Sequence, residues 1–140
     1  MFLRVLFVCT GNTCRSPLAE IYLKEERPEW KVDSAGVAAT DGAPASENAR
    51  RVAAELGLDL SEHRARPVKD VRLEDYDRVF AMSDGHLKCL PEGCPGVLLS
   101  SITGQSGPVK DPYGGDLSVY RGAFTEIREH LQALLLQESR

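Results

Sequence analysis

The 140-residue sequence lacks several features that mark specialised classes of protein. It has no apolar run long enough to cross a bilayer, and its N-terminus lacks the basic leader and cleavage site of a secretion signal. A formal net charge of -4 provides no basic excess for nucleic acid or anionic membranes. With only 4 cysteines and no secretion signal, a disulfide framework is not expected. We therefore expect one cytoplasmic domain over residues 1–140 that binds neither nucleic acid nor membrane.

Apolar segments alternate with segments of helical periodicity along the chain. This alternation predicts an α/β protein with a parallel sheet. Strands are expected at residues 2–8, 30–35, 77–82 and 97–99, and helices at about 17–26, 46–56 (or from 44), 84–90 and 117–137. A ligand of such a sheet binds at the carboxyl ends of its strands, which is where Cys9 falls.

The segment 8–17, Val-Cys-Thr-Gly-Asn-Thr-Cys-Arg-Ser-Pro, connects the first strand to the first helix. Gly11 allows the backbone to approach a ligand closely, and Asn12 tolerates the left-handed conformation that turns successive N–H groups inward. Together with the N-terminus of the helix, these groups favour a tetrahedral oxyanion. Ser16 is expected to cap that helix, and Pro17 suits its first turn.

Cys9 and Arg15 stand in Cys-x5-Arg spacing across this loop. Arg15 offers a planar fork that fits two phosphate oxygens. Cys9 lies in the same positive field, which favours its thiolate, and a thiolate beneath a bound phosphoryl group is a nucleophile aimed at phosphorus. A lone cysteine at this place would be a small buried hydrophobic residue, but its spacing to Arg15 and Ser16 favours the nucleophile.

Four motifs resemble the low-molecular-weight protein tyrosine phosphatase family. They occur in the family's order and span nearly the whole chain: V-C-x-G-N-x-C-R-S-P-x-A-E at 8–20, V-D-S-A-G at 32–36, H-R-A-R at 63–66 and D-P-Y-G at 111–114. The loop C-T-G-N-T-C-R-S-P resembles still more closely the bacterial protein arginine phosphatase branch. This resemblance implies a three-layer αβα sandwich with a central four-stranded parallel sheet, the flavodoxin-like fold of these phosphatases.

The resemblance also implies an activity: hydrolysis of phosphorylated protein side chains through a cysteinyl-phosphate intermediate. Cys9 is then the nucleophile and Arg15 the phosphate ligand. Asp111 protonates the leaving group and afterwards activates water. Phosphorylated proteins are the expected substrates and inorganic phosphate the product, with no cofactor and no metal.

Supporting roles around the phosphate follow from the same resemblance. Ser34 is implied to hold polar groups of the loop, although an ordinary serine at a strand end is an equal alternative. His63 is implied to shape the loop rather than to act as a general base. Thr13 and Tyr113 are implied to form a wall against the substrate, or Tyr113 simply packs its own loop. The phosphate-binding and loop-supporting set is Thr10, Gly11, Asn12, Thr13, Cys14, Ser16, Ser34 and His63.

Residue 13 bears on the choice of substrate. Tyrosine-specific members of the family commonly carry an apolar branched residue there, which suits a phenyl ring. The Thr13 hydroxyl can instead hydrogen-bond a guanidinium. Gly114 and Gly115 also resemble the arginine phosphatase branch, although that branch often has Phe where this chain has Tyr113. The sequence thus favours phosphoarginine slightly over phosphotyrosine.

The remaining cysteines leave other hypotheses open. Cys14 either packs beneath the loop or traps an oxidised Cys9 as a reversible disulfide. Related arsenate reductases use two relay cysteines; Cys89 matches the second of them, but Met82 occupies the place of the first. Arsenate reduction is therefore the alternative activity, and an inert phosphate-binding module is a third reading. Cys89 and Cys94 lack the neighbouring His/Cys pair that a zinc site requires.

Overall fold

A four-stranded parallel sheet runs through the protein, whose computed structural model describes residues 2–139. In chain order the strands are β1 (Arg4–Cys9), β2 (Lys31–Gly36), β3 (Arg78–Ala81) and β4 (Gly96–Leu98). The helices are α1 (Arg15–Glu26), α2 (Glu47–Glu55), α3 (Asp84–Lys88) and α4 (Leu117–Glu138). The strand order is β2-β1-β3-β4, and every pairing is parallel. The predicted parallel sheet is therefore confirmed.

The ends of the elements differ from the prediction by no more than three residues, with one consequence for the site. The prediction that Ser16 caps α1 is wrong. The helix begins at Arg15 after Cys14, which makes no side-chain capping hydrogen bond. Because the chain turns sharply at Asn12 (φ 57°), the helix starts early, and Ser16 is buried in its first turn. The Ser16 side chain is thereby free to contact the loop.

The two faces of the sheet are covered differently. Val5 and Phe7 of β1 face the larger core, which is built mainly with α1, α2 and α4. Leu6 and Val8 of β1 face a smaller core beneath the segment 68–75, which forms two short 3-10 turns. The central strand is thus apolar on both faces, as its nearly continuous hydrophobic sequence predicts. Layers on both sides of the sheet agree with the expected three-layer sandwich.

Helix α4 closes the larger core along one face. Phe124, Ile127 and Leu131 are buried at intervals of three and four residues, the spacing that places side chains on one side of a helix. Charged residues such as Arg121 and Glu129 are exposed on the outer side. The described part of the chain contains no helix with the length and hydropathy needed for a bilayer crossing.

Strand β1 occupies the switch point of the sheet. β2 lies on one side of it and β3 on the other. In open α/β sheets, ligands bind in the crevice beyond the carboxyl ends of the strands at such a point. Cys9 is the last residue of β1 and lies opposite Gly36, the last residue of β2. The fold therefore presents the loop that follows Cys9 at the edge where a ligand is expected.

Gly36 allows the β1–α1 loop to pack directly on the end of β2. A Cβ atom at this position would lie 2.5 Å from the carbonyl oxygen of Thr10 and 2.9 Å from the backbone nitrogen of Asn12. Both neighbours are backbone atoms, so neither can rotate away. The absence of a side chain at residue 36 is therefore a condition for the observed shape of the loop.

We predict that Gly36→Ala lowers the free energy of unfolding by about 1–3 kcal/mol, the usual cost of overpacking a buried site. Urea denaturation with a fluorescence readout measures this change. The matched control is Gly122→Ala in α4, where a new Cβ meets nothing within 4 Å. That control should raise the stability by about 0.5–1 kcal/mol, because alanine is the better helix former. A Gly36→Ala protein as stable as wild type would contradict the close approach.

Candidate active site

The β1–α1 loop forms the floor of a cavity at the carboxyl end of the sheet. Arg15, at the start of α1, and the loop that follows β4 complete the walls. The structure thus brings together residues that are far apart in sequence. The cavity is lined by Cys9, Thr10, Gly11, Thr13, Cys14, Arg15, Asp111 and Tyr113, all of which the sequence predicted as site residues.

The Cys9 thiol sits at the bottom of this cavity with 3% of the residue exposed. Its sulfur lies 2.8 Å from the hydroxyl oxygen of Ser16. That oxygen also accepts a hydrogen bond from the Asn12 side-chain amide, at 2.8 Å. A hydroxyl can both donate and accept, so Ser16 is a suitable partner for the sulfur as a thiol or as a thiolate. Cys9 is thus buried at the cavity with a hydroxyl partner for its sulfur.

Asn12 determines the shape of the loop. Its side-chain amide is buried and donates to the hydroxyls of Ser16 and Ser34, each at 2.8 Å. Its side-chain oxygen accepts the backbone N–H of Arg66 at 3.0 Å. Among residues 2–139 it is the one non-glycine residue with a positive φ, 57°. These bonds hold a conformation that L-residues otherwise avoid.

Ser34 and His63 both contact Asn12, in the places that the sequence led us to expect. The Ser34 hydroxyl accepts from Asn12 and donates to the carboxylate of Glu20. His63 donates from Nε2 to the Asn12 carbonyl oxygen at 2.7 Å, because a carbonyl can only accept. Glu20 was not among the predicted site residues, although it ends the first motif. Its carboxylate takes the Ser34 proton, so that the Ser34 oxygen accepts from Asn12.

The Arg15 guanidinium is held inside the protein, and its side chain is only 6% exposed. Nη1 donates to the carbonyl oxygen of Val109 at 3.0 Å. Nη2 lies 3.6 Å from a carboxylate oxygen of Asp111, beyond the length of a good hydrogen bond. The backbone of Val109 also donates to the carbonyl of Met82 at the end of β3. Arg15 is thus fixed in place while part of its fork still faces the cavity.

Asp111 and Tyr113 stand at the mouth of the cavity. The Asp111 side chain is 54% exposed, and its carboxylate accepts the backbone N–H of Tyr113 at 3.1 Å. This bond is an Asx turn, which the following Gly114 continues at φ 79°. Tyr113 is 82% exposed although it lines the cavity. Both side chains are therefore accessible to a molecule that enters the cavity.

Cys14 is buried and lines the cavity, and its sulfur also contacts side chains outside it. Its sulfur is 3.3 Å from the Tyr120 hydroxyl and 3.5 Å from that of Ser46. Burial raises the pKa of Tyr120 above its ordinary value of 10, and the hydrogen bond with Cys14 adds to the effect. Cys9 and Cys14 are both free thiols in the structure. A reversible disulfide between them stays a prediction.

His86 is a site residue that the sequence analysis missed. It lies in α3, is 6% exposed, and places Nε2 2.8 Å from the Thr10 hydroxyl and Nδ1 3.0 Å from that of Ser83. Burial lowers its pKa below 6.5, the nearby charge of Arg15 lowers it further, and Asp111 opposes the shift weakly. The short helix and the absence of a motif around His86 left no signal in the sequence.

Other side chains considered as ligands or relays do not gather at this site. Cys89 is exposed and Cys94 partly exposed on the α3–β4 side, and neither lines the cavity. Met82 is buried at the end of β3. Within residues 2–139, no group of three or more His, Cys, Asp or Glu side chains is arranged as a metal site.

A strand-ending thiol, an anion-binding loop and a buried arginine define the class of cysteine-dependent phosphatases with a Cys-x5-Arg loop. The family model described as low molecular weight phosphotyrosine protein phosphatase matches residues 4–139. The chain belongs to this family. The predicted family resemblance is thereby confirmed.

The chain is about equally similar to relatives named for two different activities, arginine phosphatase and tyrosine phosphatase. A protein-arginine-phosphatase of Geobacillus stearothermophilus is 38% identical over 138 residues, which cover 94% of this chain and 93% of the relative. The low molecular weight protein-tyrosine-phosphatase Wzb of Escherichia coli K12 is 36% identical over 142 residues, covering 96% and 97%. The solved structure of the YwlE arginine phosphatase from Geobacillus stearothermophilus superimposes with a TM-score of 0.90 at 36% identity, covering 98% and 93%. The tyrosine phosphatase AmsI of Erwinia amylovora reaches 0.92 at 30% identity, covering 100% and 95%.

We predict that His86 makes stability depend on pH near 6. Its pKa in the folded protein is lowered from 6.5, so the unfolded chain binds more protons in the interval below that value. Stability should therefore fall as the pH drops through about 6.5, and His86→Gln should show a smaller fall. Urea unfolding at pH 7.5 and at pH 5.5 measures the difference.

The control for this prediction is Lys88→Gln, an exposed change on the same helix that removes no group titrating in this range. Its free energy of unfolding should fall between pH 7.5 and pH 5.5 by as much as that of wild type. An equal loss of stability in wild type and His86→Gln would contradict the assignment to His86.

Proposed function

We propose that the protein hydrolyses phosphorylated protein side chains through a cysteinyl-phosphate intermediate. The observation that carries this proposal is the pairing of two buried groups on one cavity. Cys9, whose sulfur lies 2.8 Å from the Ser16 hydroxyl oxygen, and Arg15 both line this cavity. A cavity with a fixed cation and a sulfur nucleophile suits a transferring phosphoryl group.

In this mechanism the Cys9 thiolate attacks phosphorus and forms an S–P bond while the P–O or P–N bond to the side chain breaks. The electron pair leaves with the side-chain atom, which takes a proton from Asp111. Water then attacks the intermediate and gives a proton to Asp111, and the S–P bond breaks to release inorganic phosphate. Arg15 and the loop N–H groups hold the remaining phosphoryl oxygens throughout.

A solved relative supports the phosphoenzyme. A YwlE arginine phosphatase variant with a phosphorylated active-site serine has a TM-score of 0.90 and 33% identity to this chain, covering 100% of it and 97% of that chain. A serine that replaces the nucleophile and keeps the phosphoryl group is the expected trap of such an intermediate. We infer that Cys9 carries the phosphoryl group in the same way.

We further propose that phosphoarginine is preferred to phosphotyrosine. Thr13 lines the cavity, and its hydroxyl oxygen lies 3.7 Å from the Cys14 sulfur. A thiol is a weak partner, so this hydroxyl can exchange it for a guanidinium N–H at small cost. The carboxylate of Asp111 lies on the same cavity and adds a complementary charge.

The setting of the reaction is also part of the proposal. We propose that residues 1–140 act as one domain in the cytoplasm on phosphorylated proteins, without binding nucleic acid or membrane. A net charge of -4 supports the absence of polyanion binding. The family match over residues 4–139 supports a single domain. Arsenate reduction is disfavoured by Met82, which stands where a relay thiol is needed.

We predict that Cys9→Ser abolishes hydrolysis of p-nitrophenyl phosphate while binding of inorganic phosphate or vanadate remains measurable. A serine hydroxyl is a weak nucleophile without an adjacent base, but the anion cup is unchanged. Steady-state kinetics and calorimetry measure the two properties. The matched control is Cys89→Ser, an exposed thiol outside the cavity, which should keep full activity. Undiminished turnover by Cys9→Ser would remove Cys9 from the mechanism, and an inactive wild type would favour the inert binding module.

We predict that Asp111→Asn slows aryl phosphates with poor leaving groups by about 10²–10⁴-fold, the usual contribution of a general acid. Good leaving groups depart without a proton, so their first step should be affected far less. A series of substituted phenyl phosphates gives the dependence of rate on leaving-group pKa. Asp41→Asn, in an exposed loop, serves as the control. Equal losses across the series would argue against proton donation by Asp111.

We predict that Thr13→Ile lowers the ratio of kcat/KM for phosphoarginine over phosphotyrosine peptides by about 10–100-fold. This range corresponds to one lost hydrogen bond to a charged group, about 1.5–3 kcal/mol. Thr13→Ser keeps the hydroxyl and should keep the ratio. An unchanged ratio in Thr13→Ile would refute the role of Thr13, and a wild-type ratio that favours phosphotyrosine would reverse the proposed preference.

A further inference from the structure

The β1–α1 loop is held from both of its sides, and the two sides use different residues. The bonds of Asn12 to Ser34 and to the Arg66 backbone come from the β2 side of the sheet. On the β3 side, His86 of α3 reaches the loop through the hydroxyl of Thr10. Thr10 also accepts a backbone hydrogen bond from Ala38 on the β2 side, at 2.9 Å. Thr10 is therefore a residue at which supports from both neighbouring strands meet.

We propose that His86 is a positioning residue that keeps the phosphate-binding loop in its anion-ready conformation by holding the Thr10 hydroxyl. This inference rests on the proposed function, because it concerns the affinity of the same cavity for a phosphoryl group. His86 does not line that cavity, so it acts through Thr10, the residue that follows the nucleophile.

The hydrogen bonding of His86 suits a fixed support. Both ring nitrogens have hydroxyl partners, Thr10 at 2.8 Å and Ser83 at 3.0 Å. A hydroxyl either donates or accepts, so each partner matches whichever nitrogen carries the proton. Ser83 also caps α3, since it accepts the backbone N–H of His86. The ring is thus anchored to a helix end at one nitrogen and to the loop at the other.

The two side chains of this hydrogen bond differ in burial. His86 is buried, whereas Thr10 is exposed, so Thr10 is the one whose conformation depends more on the bond. An exposed residue at the start of a loop gains order from a bond to a buried ring. Preorganised donors bind an anion better because they pay no reorganisation on binding. Loss of the Thr10–His86 bond should therefore weaken phosphate binding more than it weakens the fold.

Two replacements of His86 distinguish its hydrogen bond with Thr10 from its hydrogen bond with Ser83. A glutamine amide can occupy the place of Nε2 and keep the bond to Thr10. An asparagine amide reaches only the place of Nδ1, so it keeps Ser83 and loses Thr10. Thr10→Val removes the hydroxyl partner of His86 Nε2 and keeps nearly the same side-chain shape, whereas Thr10→Ser retains the hydroxyl. Because Thr10 is exposed, its variants are expected to fold.

The experiment measures the dissociation constant of inorganic phosphate by calorimetry for wild type and the variants, with the melting temperature alongside. We expect His86→Asn and Thr10→Val each to weaken binding about 3–10-fold, the equivalent of one neutral hydrogen bond. His86→Gln and Thr10→Ser should stay within about twofold of wild type, well below the loss expected for a missing bond. The double variant His86→Asn/Thr10→Val should be no weaker than either single variant, because both remove the same bond.

Equal losses in His86→Gln and His86→Asn, or additive losses in the double variant, would overturn the proposal. A general structural role would lower the melting temperature in both His86 variants without separating their phosphate affinities. Because phosphate binding is measured directly, the result does not depend on turnover. A wild type that binds phosphate but hydrolyses nothing would reject the proposed function and leave this inference to be judged on its own data.

Discussion

The left-handed backbone of Asn12 is the constraint on which the rest of the site depends. For an ordinary L-residue this conformation costs roughly 1–2 kcal/mol. Glycine would adopt it freely, but glycine could not donate to Ser16 and Ser34 or accept from the Arg66 backbone. Asparagine does both, because its short amide reaches those partners from the turned backbone. The same side-chain amide that stabilises the turn also contacts the Ser16 hydroxyl beside Cys9, so the shape of the loop and the surroundings of the thiol share one cause.

The second condition is a positive charge that is only partly neutralised, the guanidinium of Arg15 at the start of α1. Arg15 is buried, which costs free energy unless its donors are paired. The carbonyl oxygen of Val109 accepts from Nη1, while the Asp111 carboxylate lies 3.6 Å from Nη2, too far for a good hydrogen bond. A guanidinium in this state gains more from a phosphate anion than one already locked in a bidentate salt bridge. The incomplete pairing of Arg15 is therefore a feature of a binding site rather than a defect of the core.

The parallel sheet and the loop from Cys9 to Arg15 could be predicted from local patterns: the apolar strand before Cys9 and the glycine–asparagine turn after it. The three-layer arrangement and the place of Asp111 at the site were implied by the family resemblance, because no local pattern brings residue 111 near residue 15. Two features had no such signal. Ser16 suited the helix cap by residue type, but the early start of α1 turned it towards Cys9 instead. His86 reaches Thr10 only because β3 pairs with β1, and this neighbourhood is a property of the sheet order and not of either segment.

In the proposed reaction Asp111 has to give a proton to the leaving group and afterwards accept one from water, so its carboxyl must reach both. One of its oxygens lies 3.6 Å from Nη2 of Arg15, which places the carboxyl beside the cation that holds the phosphoryl group in this mechanism. The side chain is 54% exposed, so water can approach it after the leaving group has departed. A short bidentate bond to Asp111 would instead occupy the donors of Arg15 that the phosphoryl oxygens need. The loose pairing of these two side chains therefore leaves Arg15 available to the phosphoryl group and Asp111 available to the proton.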